Sequence, residues 1–382
     1  MKVMMIETGG WGGLAHYTWN LCQALAGQKA DVTLLTHARY ELSGLPTTFA
    51  AEPCFDGRAG YLRNAWTLWR RVAATAPDVV HVQSLLSTRF DPALWMMLGR
   101  KVPLVFTLHN VRPHEQTDQD SAVQWRCCRA APGVIVHTQD GLKEARKHLG
   151  ASVRIEVIHH GDYAFFGRAH AYDRAGARHL LGLPSQAPLI LAFGAIRPYK
   201  GVHGLISAMC VIRERYPDAR LVVVGPLLAG SEQEYRRAIT AAGLDATVVF
   251  RPEYVPHEHV AAYFAAADVA VFNYRDVTDS GALRIACSLG TPVVATAVGA
   301  FAEFLTDGQT ARLVPPDDLG KLTAALGDVL ADPAAAAVRA KAARELADAQ
   351  WSWHQSATAT LALYRTVVCG RAQPESMVAA SR

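Results

Sequence analysis

Short, nearly unbroken apolar runs alternate with longer helical patterns along most of the chain, and the series occurs twice. Residues 3–6, 32–36, 79–82, 104–108, 133–137 and 154–158 read as strands, with helical stretches such as 16–26 and 61–75 between them. The pattern restarts with strands at 189–193, 220–224, 247–250, 269–272 and 292–295, separated by helices at 202–216, 232–242, 257–266 and 281–289. Continuous apolar strands are those of parallel sheets buried on both faces. Two βαβ series in succession predict an α/β protein of two doubly wound domains. The boundary is expected near residue 170, where HHGDYAFF gives way to a polar Arg/His-rich stretch and then LGLPSQAP. This gives domains 1–170 and 171–349. A late helix over 350–368, carrying Trp351, Trp353, Leu361 and Tyr364, is expected to pack back on the first domain, leaving 369–382 as a flexible tail.

At roughly 100–200 residues per domain, 382 residues are enough for two cores. The seven cysteines show no C-x-x-C pairing, which points to a reducing, cytoplasmic setting. MKVMMIETGGWGG reads as a first strand entering a glycine turn rather than a signal peptide, and no apolar run approaches the ~20 residues of a membrane span. The formal charge is +4, and residues 1–170 hold 18 Lys/Arg against 14 Asp/Glu. That excess is too small for a nucleic-acid partner but suits an anionic membrane surface. Six of the eight Trp precede residue 130. Trp66 and Trp69 stand among Arg63, Arg70 and Arg71, and Trp95, Met96 and Met97 precede Arg100 and Lys101, a pairing typical of interfacial helices.

Three turns could hold anions. The first strand ends in Gly9-Gly10-Trp11-Gly12-Gly13-Leu14-Ala15, which contains G-x-G-x-x-A. Such glycines let backbone N–H groups approach a phosphate. A dinucleotide site also wants an acidic residue after strand two, and here the chain runs Thr36-His37-Ala38-Arg39. The second domain opens with Gly194-Ala195-Ile196-Arg197-Pro198-Tyr199-Lys200-Gly201, a strand-to-helix turn with two cations. The third is Asp279-Ser280-Gly281, where Ser280 can cap the next helix and leave its first amides free.

In order along the chain stand Gly12-Gly13, Asp78-Val-Val-His81, Thr107-Leu-His109, His160-Gly161-Asp162, Gly194…Lys200-Gly201, Val224-Gly225, Ala267-Asp268-Val269, Gly290-Thr-Pro-Val-Val-Ala-Thr296 and Val298-Gly299…Glu303. The ordered set resembles the retaining GT-B glycosyltransferases of the family 4 type (glycosyl transferase group 1), nearly end to end. The resemblance implies two Rossmann-like domains facing a central cleft that holds the donor diphosphate. It implies that Gly12 and Gly13 line the donor phosphates and acceptor, that Lys200 and a nearby Arg hold the diphosphate, and that the amides around Ser280, Gly281 and Ala282 hold the distal phosphate. Residues 251–254, with Arg251 and Tyr254, would run past the base. Two departures stand out. The usual Arg position holds Ala195, with Arg197 two residues on, and the usual paired glutamates are Val277 and Ile285.

The expected reaction is therefore transfer of a hexose from a nucleoside-diphosphate sugar to a hydroxyl acceptor, with retention, in bacterial polysaccharide or glycolipid assembly. No metal and no cofactor are expected, because Arg197, Lys200 and helix-terminal amides would stabilise the leaving diphosphate. His109, at the carboxyl end of an apolar strand, is expected near the reacting sugar, as a neutral hydrogen-bond partner or, if protonated, a helper to the leaving oxygen. His81 and His160 also end strands and carry a weaker claim. Asp279 is expected to accept hydrogen bonds from sugar hydroxyls in place of the missing glutamates, or to cap the helix. The acceptor would be a lipid-linked sugar if the first domain touches the inner face of a membrane. Two other readings remain open: a sugar-nucleotide epimerase of the same fold, and a non-catalytic sugar-nucleotide-binding subunit.

Overall fold

The computed structural model describes residues 1–57, 60–86, 90–111, 118–169 and 171–372. The chain forms two compact units, Met1–Gly161 together with the chain from Trp351, and Asp162–Gln350.

The first unit is a seven-stranded parallel sheet of β1 (Lys2–Ile6), β2 (Asp31–His37), β3 (Ala50–Phe55), β4 (Val79–Val82), β5 (Leu104–Thr107), β6 (Gly133–Val136) and β7 (Arg154–Val157), in the order β3-β2-β1-β4-β5-β6-β7. Strands β4, β5 and β6 are buried at every residue, as their unbroken apolar sequences require. The second unit repeats the plan with six parallel strands: β8 (Leu189–Phe193), β9 (Arg220–Val224), β10 (Val248–Arg251), β11 (Val269–Phe272), β12 (Val293–Thr296) and β13 (Arg312–Val314), in the order β10-β9-β8-β11-β12-β13. Strand order reverses between β1 and β4 in one sheet and between β8 and β11 in the other. At such switch points the loops leaving the carboxyl ends diverge and open a crevice for ligand.

Two strands go beyond the sequence reading, and both lie at sheet edges. β3 contains Glu52 and Pro53, which suit an edge but break the apolar pattern. β13 is only three residues long. The division between units falls at 161/162 rather than 170/171. Tyr163, Phe165 and Phe166 are buried in the second unit, the Tyr163 amide donates to Ser288 Oγ at 3.0 Å, and a β-carbon on Gly167 would stand 2.8 Å from Leu289.

The last helix, Trp353–Ala372, belongs to the first unit. A β-carbon on Gly161 would lie 2.2 Å from the Trp353 ring, so only glycine admits that indole. Tyr364 Oη meets His81 Nδ1 at 2.6 Å inside the core, and Ser356 Oγ donates to the His159 carbonyl at 2.8 Å. The helix runs past 368, through the start of the expected tail. Residues 373–382 lie outside the described residues. No helix among the described residues is long and apolar enough to cross a membrane.

Candidate active site

In the second unit, β8 delivers the chain to Gly194, whose φ of +106° suits glycine. A β-carbon on the neighbouring Gly225 would lie 2.2 Å from the Gly194 carbonyl oxygen, so the ends of β8 and β9 meet through two glycines. The chain then makes a 3-10 turn over Pro198–Lys200 and enters the helix Val202–Arg215 through Gly201 at φ +66°. Asn273, just after β11, fixes this entry by donating from Nδ2 to the Gly201 carbonyl at 3.0 Å. The two sides of the switch point are thereby tied together.

Lys200 points back over this turn. Its Nζ would lie 3.2 Å from a β-carbon on Gly194 and sits 5.0 Å from the centre of the buried Tyr274 ring. Among the described residues no carboxylate and no hydrogen-bond acceptor holds the ammonium. Burial pushes the Lys200 pKa below its ordinary value, and the nearby Arg197 guanidinium pushes it further in the same direction. Two cations, Arg197 and Lys200, share one turn.

The helix Gly281–Leu289 starts at the same point, since Ala282 Cβ lies 3.7 Å from that β-carbon position on Gly194. Ser280 caps the helix, its Oγ accepting from the Leu283 amide at 3.3 Å. The Gly281 and Ala282 amides have no acceptor among the described residues. Asp279 is placed differently from expectation. Its Oδ1 accepts from the Ser280 amide at 2.7 Å and from Arg284 Nε at 3.1 Å, and its Oδ2 accepts from Arg284 Nη2 at 3.2 Å. Arg284 and Asp279 are both buried, with side-chain exposures of 1% and 6%. The paired role foreseen with sugar hydroxyls is corrected: both carboxylate oxygens already face a guanidinium, and the cap is Ser280. Val277 and Ile285 are buried in the apolar core. Gly299 packs so closely on Val277 that a β-carbon there would overlap its carbonyl.

The glycine turn of the first unit is filled from within. Glu7, fully buried at the end of β1, accepts from the Gly9 amide at 2.7 Å and the Gly10 amide at 2.8 Å, with Thr36 Oγ1 donating at 3.0 Å. Burial raises the Glu7 pKa, and these three hydrogen bonds oppose the rise. The Gly12 amide donates to Glu41 Oε1 at 3.0 Å, and Glu41 also pairs with His16 at 2.5 Å. Carboxylates thus occupy the positions a phosphate would take. Gly12 is expected to line the donor phosphates and acceptor, and its amide is already engaged by Glu41. At Gly13 a side chain would meet open space, so the backbone there stays accessible.

His109 follows β5 and is half-buried. Its Nε2 lies 2.8 Å from Gln83 Oε1, and its Nδ1 lies 3.3 Å from His137 Nε2. Burial, then the neighbouring His137 and His81, hold its pKa well below the ordinary histidine value. His109 is therefore neutral near pH 7, which corrects the idea of a protonated ring assisting the leaving oxygen. His81 is a core residue bonded to Tyr364 and Thr107, with its pKa lowered to about 3 by burial.

Residues 11–161 match the family model described as Glycosyltransferase Family 4, and residues 187–332 match that of Glycosyl transferases group 1. D-inositol 3-phosphate glycosyltransferase of Mycolicibacterium paratuberculosis is 32% identical over 399 residues, covering 94% of this chain and 87% of that one. The chain belongs to the family 4 glycosyltransferases. Glycogen synthase of Mycobacterium tuberculosis is 28% identical over 428 residues, covering 98% of this chain and 97% of its own. Anabaena HepE, solved in complex with UDP-glucose, superposes with a TM-score of 0.78 at 21% identity over 95% of this chain and 99% of that one, a likeness of GT-B fold.

In this glycosyltransferase Arg251 serves the scaffold. Its Nη1 donates to Tyr263 Oη at 3.1 Å and its Nη2 to the Leu181 carbonyl at 2.8 Å, while Tyr254 is half-buried on the loop beyond. The set of residues expected to face a membrane divides. Trp66, Met96 and Met97 are exposed, whereas Trp95 is fully buried, donating from Nε1 to Asp91 Oδ2 at 3.1 Å. Trp69 is half-buried with Lys101 Nζ 4.2 Å above its ring. Sequence reasoning missed Glu7, Glu41, Asn273 and Arg284. Glu7 had a signal, an acid two residues before a glycine run.

Proposed function

We propose that this glycosyltransferase moves a hexosyl group from a nucleoside-diphosphate sugar to a hydroxyl acceptor, in assembly of a bacterial polysaccharide or glycolipid. The diphosphate is held in the second unit by Lys200, Arg197 and the amides of Gly281 and Ala282. One observation carries this reading: a half-buried ammonium without a carboxylate partner among the described residues converges at Gly194 with the unfilled start of a helix. Partial desolvation disfavours the charged ammonium, and a bound diphosphate offsets that cost. As the bond from the anomeric carbon to the diphosphate oxygen breaks, negative charge grows on that oxygen, where the preorganised cation and amides stabilise it. The acceptor hydroxyl oxygen forms the new bond to the anomeric carbon and loses its proton. Retention of anomeric configuration is proposed from the family resemblance, and a UDP-hexose donor is supported by the UDP-glucose complex of HepE. Gly13 and a neutral His109 are proposed to lie along the acceptor path of the first unit, and the loop carrying Tyr254 beside the base.

The test is to incubate the protein with a panel of sugar nucleotides, with and without hydroxyl acceptors, and follow product by mass spectrometry and anomeric NMR. Transfer that requires an acceptor supports the reading. Conversion of the sugar nucleotide alone marks an epimerase, and binding without turnover marks a non-catalytic subunit. Screening by thermal stabilisation selects the donor, since ligand at ~100 times its Kd adds about 2.7 kcal/mol.

A lipid-linked acceptor is favoured by one surface. Leu62 (82% exposed), Trp66 (62%), Phe90 (52%), Met96 and Met97 stand out near Arg63, Arg70, Arg100 and Lys101. Apolar side chains rimmed by cations suit the inner face of an anionic membrane. Flotation with anionic vesicles at low salt should carry the protein upward, and recovery at the bottom of the gradient removes this part of the reading.

A further inference from the structure

The first unit gathers three histidines at the ends of three successive strands: His109 after β5, His137 after β6 and His160 after β7. One ring nitrogen of each lies within 4.8 Å of the others. The Tyr17 ring packs against all three, with centroid distances of 4.7, 5.2 and 4.6 Å, and sets their spacing.

Hydrogen bonding decides which nitrogens carry hydrogen. His137 Nδ1 stands 2.8 Å from the Ile158 carbonyl oxygen, which can only accept. His137 therefore carries its hydrogen on Nδ1 and keeps a lone pair on Nε2. The Gln83 amide nitrogen faces Met5 Sδ at 3.1 Å and His81 Nε2 at 3.2 Å, which turns its oxygen towards His109 Nε2 at 2.8 Å. His109 accordingly carries its hydrogen on Nε2 and keeps a lone pair on Nδ1. The two lone pairs then point at each other across 3.3 Å. A positive centre between them would take both lone pairs.

A tetrahedral zinc ion with Zn–N distances of about 2.0–2.1 Å holds its nitrogen ligands roughly 3.3–3.4 Å apart. The separation of His109 Nδ1 and His137 Nε2 falls there. Each ring also gives its other N–H to a carbonyl oxygen, the arrangement that orients metal-binding imidazoles. His160, buried at 7% exposure with its ring centre 4.1 Å from that of His137, offers the third nitrogen, within 4.8 Å of the other two. We propose that His109, His137 and His160 form a binding site for a divalent transition-metal ion of the zinc class. His109 is only half-buried, so water takes the fourth position from its side. The site lies in the first unit, and the proposed diphosphate clamp in the second. Occupancy would take the lone pair of His109 away from any sugar hydroxyl.

The test uses the full chain, stripped with chelator and titrated with ZnCl2 by calorimetry and with CoCl2 by visible absorption. One ion per chain and the intense d–d bands of four-coordinate Co2+ are expected. His137→Gln and His160→Gln should each weaken Zn2+ binding by at least roughly 10–100-fold, and Gln83→Leu, which removes an orienting carbonyl, by about 10–100-fold. His148→Gln, on a remote helix, should bind as the parent does. A Co2+ spectrum unchanged from that of the aquo ion overturns the proposal, as does binding that survives both histidine substitutions. The Co2+ spectrum of the unsubstituted protein decides the matter even if a variant fails to fold.

Discussion

The two units carry the same device in opposite states. Each has a glycine-rich turn at the carboxyl end of its first strand, at a point where strand order reverses. In the first unit Glu7 and Glu41 fold back and accept from the amides of Gly9, Gly10 and Gly12. In the second, Asp279 is drawn aside by Arg284, the Gly281 and Ala282 amides stay open, and Lys200 faces them without a carboxylate partner among the described residues. Glycine spacing alone thus does not tell a phosphate site from a self-satisfied turn. The nearest carboxylate, and what holds it, does.

The largest effect should come from releasing that carboxylate's partner. Asp279→Asn removes the buried carboxylate that faces the Arg284 guanidinium, a loss of about 3–5 kcal/mol on the scale of a broken buried pair, and the melting temperature should drop sharply. Adding Arg284→Met should recover much of it. An unchanged melting temperature for Asp279→Asn would break the claim that the ion pair is structural. Next, Lys200→Ala should lower turnover by roughly 10²–10³-fold, as for loss of an oxyanion donor. Its melting temperature should change little, because the ammonium has no carboxylate partner among the described residues and meets only the Tyr274 ring. Near-normal turnover would make the second turn as inert as the first.

The self-filled turn predicts the reverse pattern. Glu7→Gln replaces an acceptor with an amide that meets donors, at a cost of about 1–3 kcal/mol in stability. Because burial raises the folded-state pKa of Glu7, the folded protein holds that proton more tightly than the unfolded chain. The stability this contributes is complete below the ordinary value of 4.5 and is lost as pH climbs through the raised value. Denaturant titrations from pH 4 upward should show this decline in the parent and a flatter profile in Glu7→Gln. Smallest is Ser280→Ala, which removes a cap and costs ~1 kcal/mol by chemical denaturation. A loss well above that would mean that Ser280 does more than close the helix.

The two-sheet plan was legible because strands buried on both faces must be apolar throughout, as in VVHV and GVIV. Edge strands obey no such rule, which is why β3 and β13 escaped notice. Lys200 was singled out because a cation in a strand-to-helix turn can meet an anion and because the family resemblance places a lysine there. Glu41 and Arg284 were not, since their roles depend on side chains reaching across tertiary distances. Arg284 left a faint mark, standing five residues after Asp279, one turn into a helix capped between them. His81, His109 and His160 each announced themselves as strand ends. Only the order of β5, β6 and β7 brings His109, His137 and His160 side by side.

The helix Trp353–Ala372 makes the first unit discontinuous in the chain, with the second unit inserted within it. As the chain leaves the ribosome, residues 162–350 are complete before the opening unit has its last helix. Domains generally fold as units during synthesis. The inner unit is therefore able to close while the outer one still lacks Trp353 against Gly161 and Tyr364 against His81. The twenty residues of that helix act as the latch of a structure begun at residue 1, and a stop codon near 350 would cost the unit that was made first.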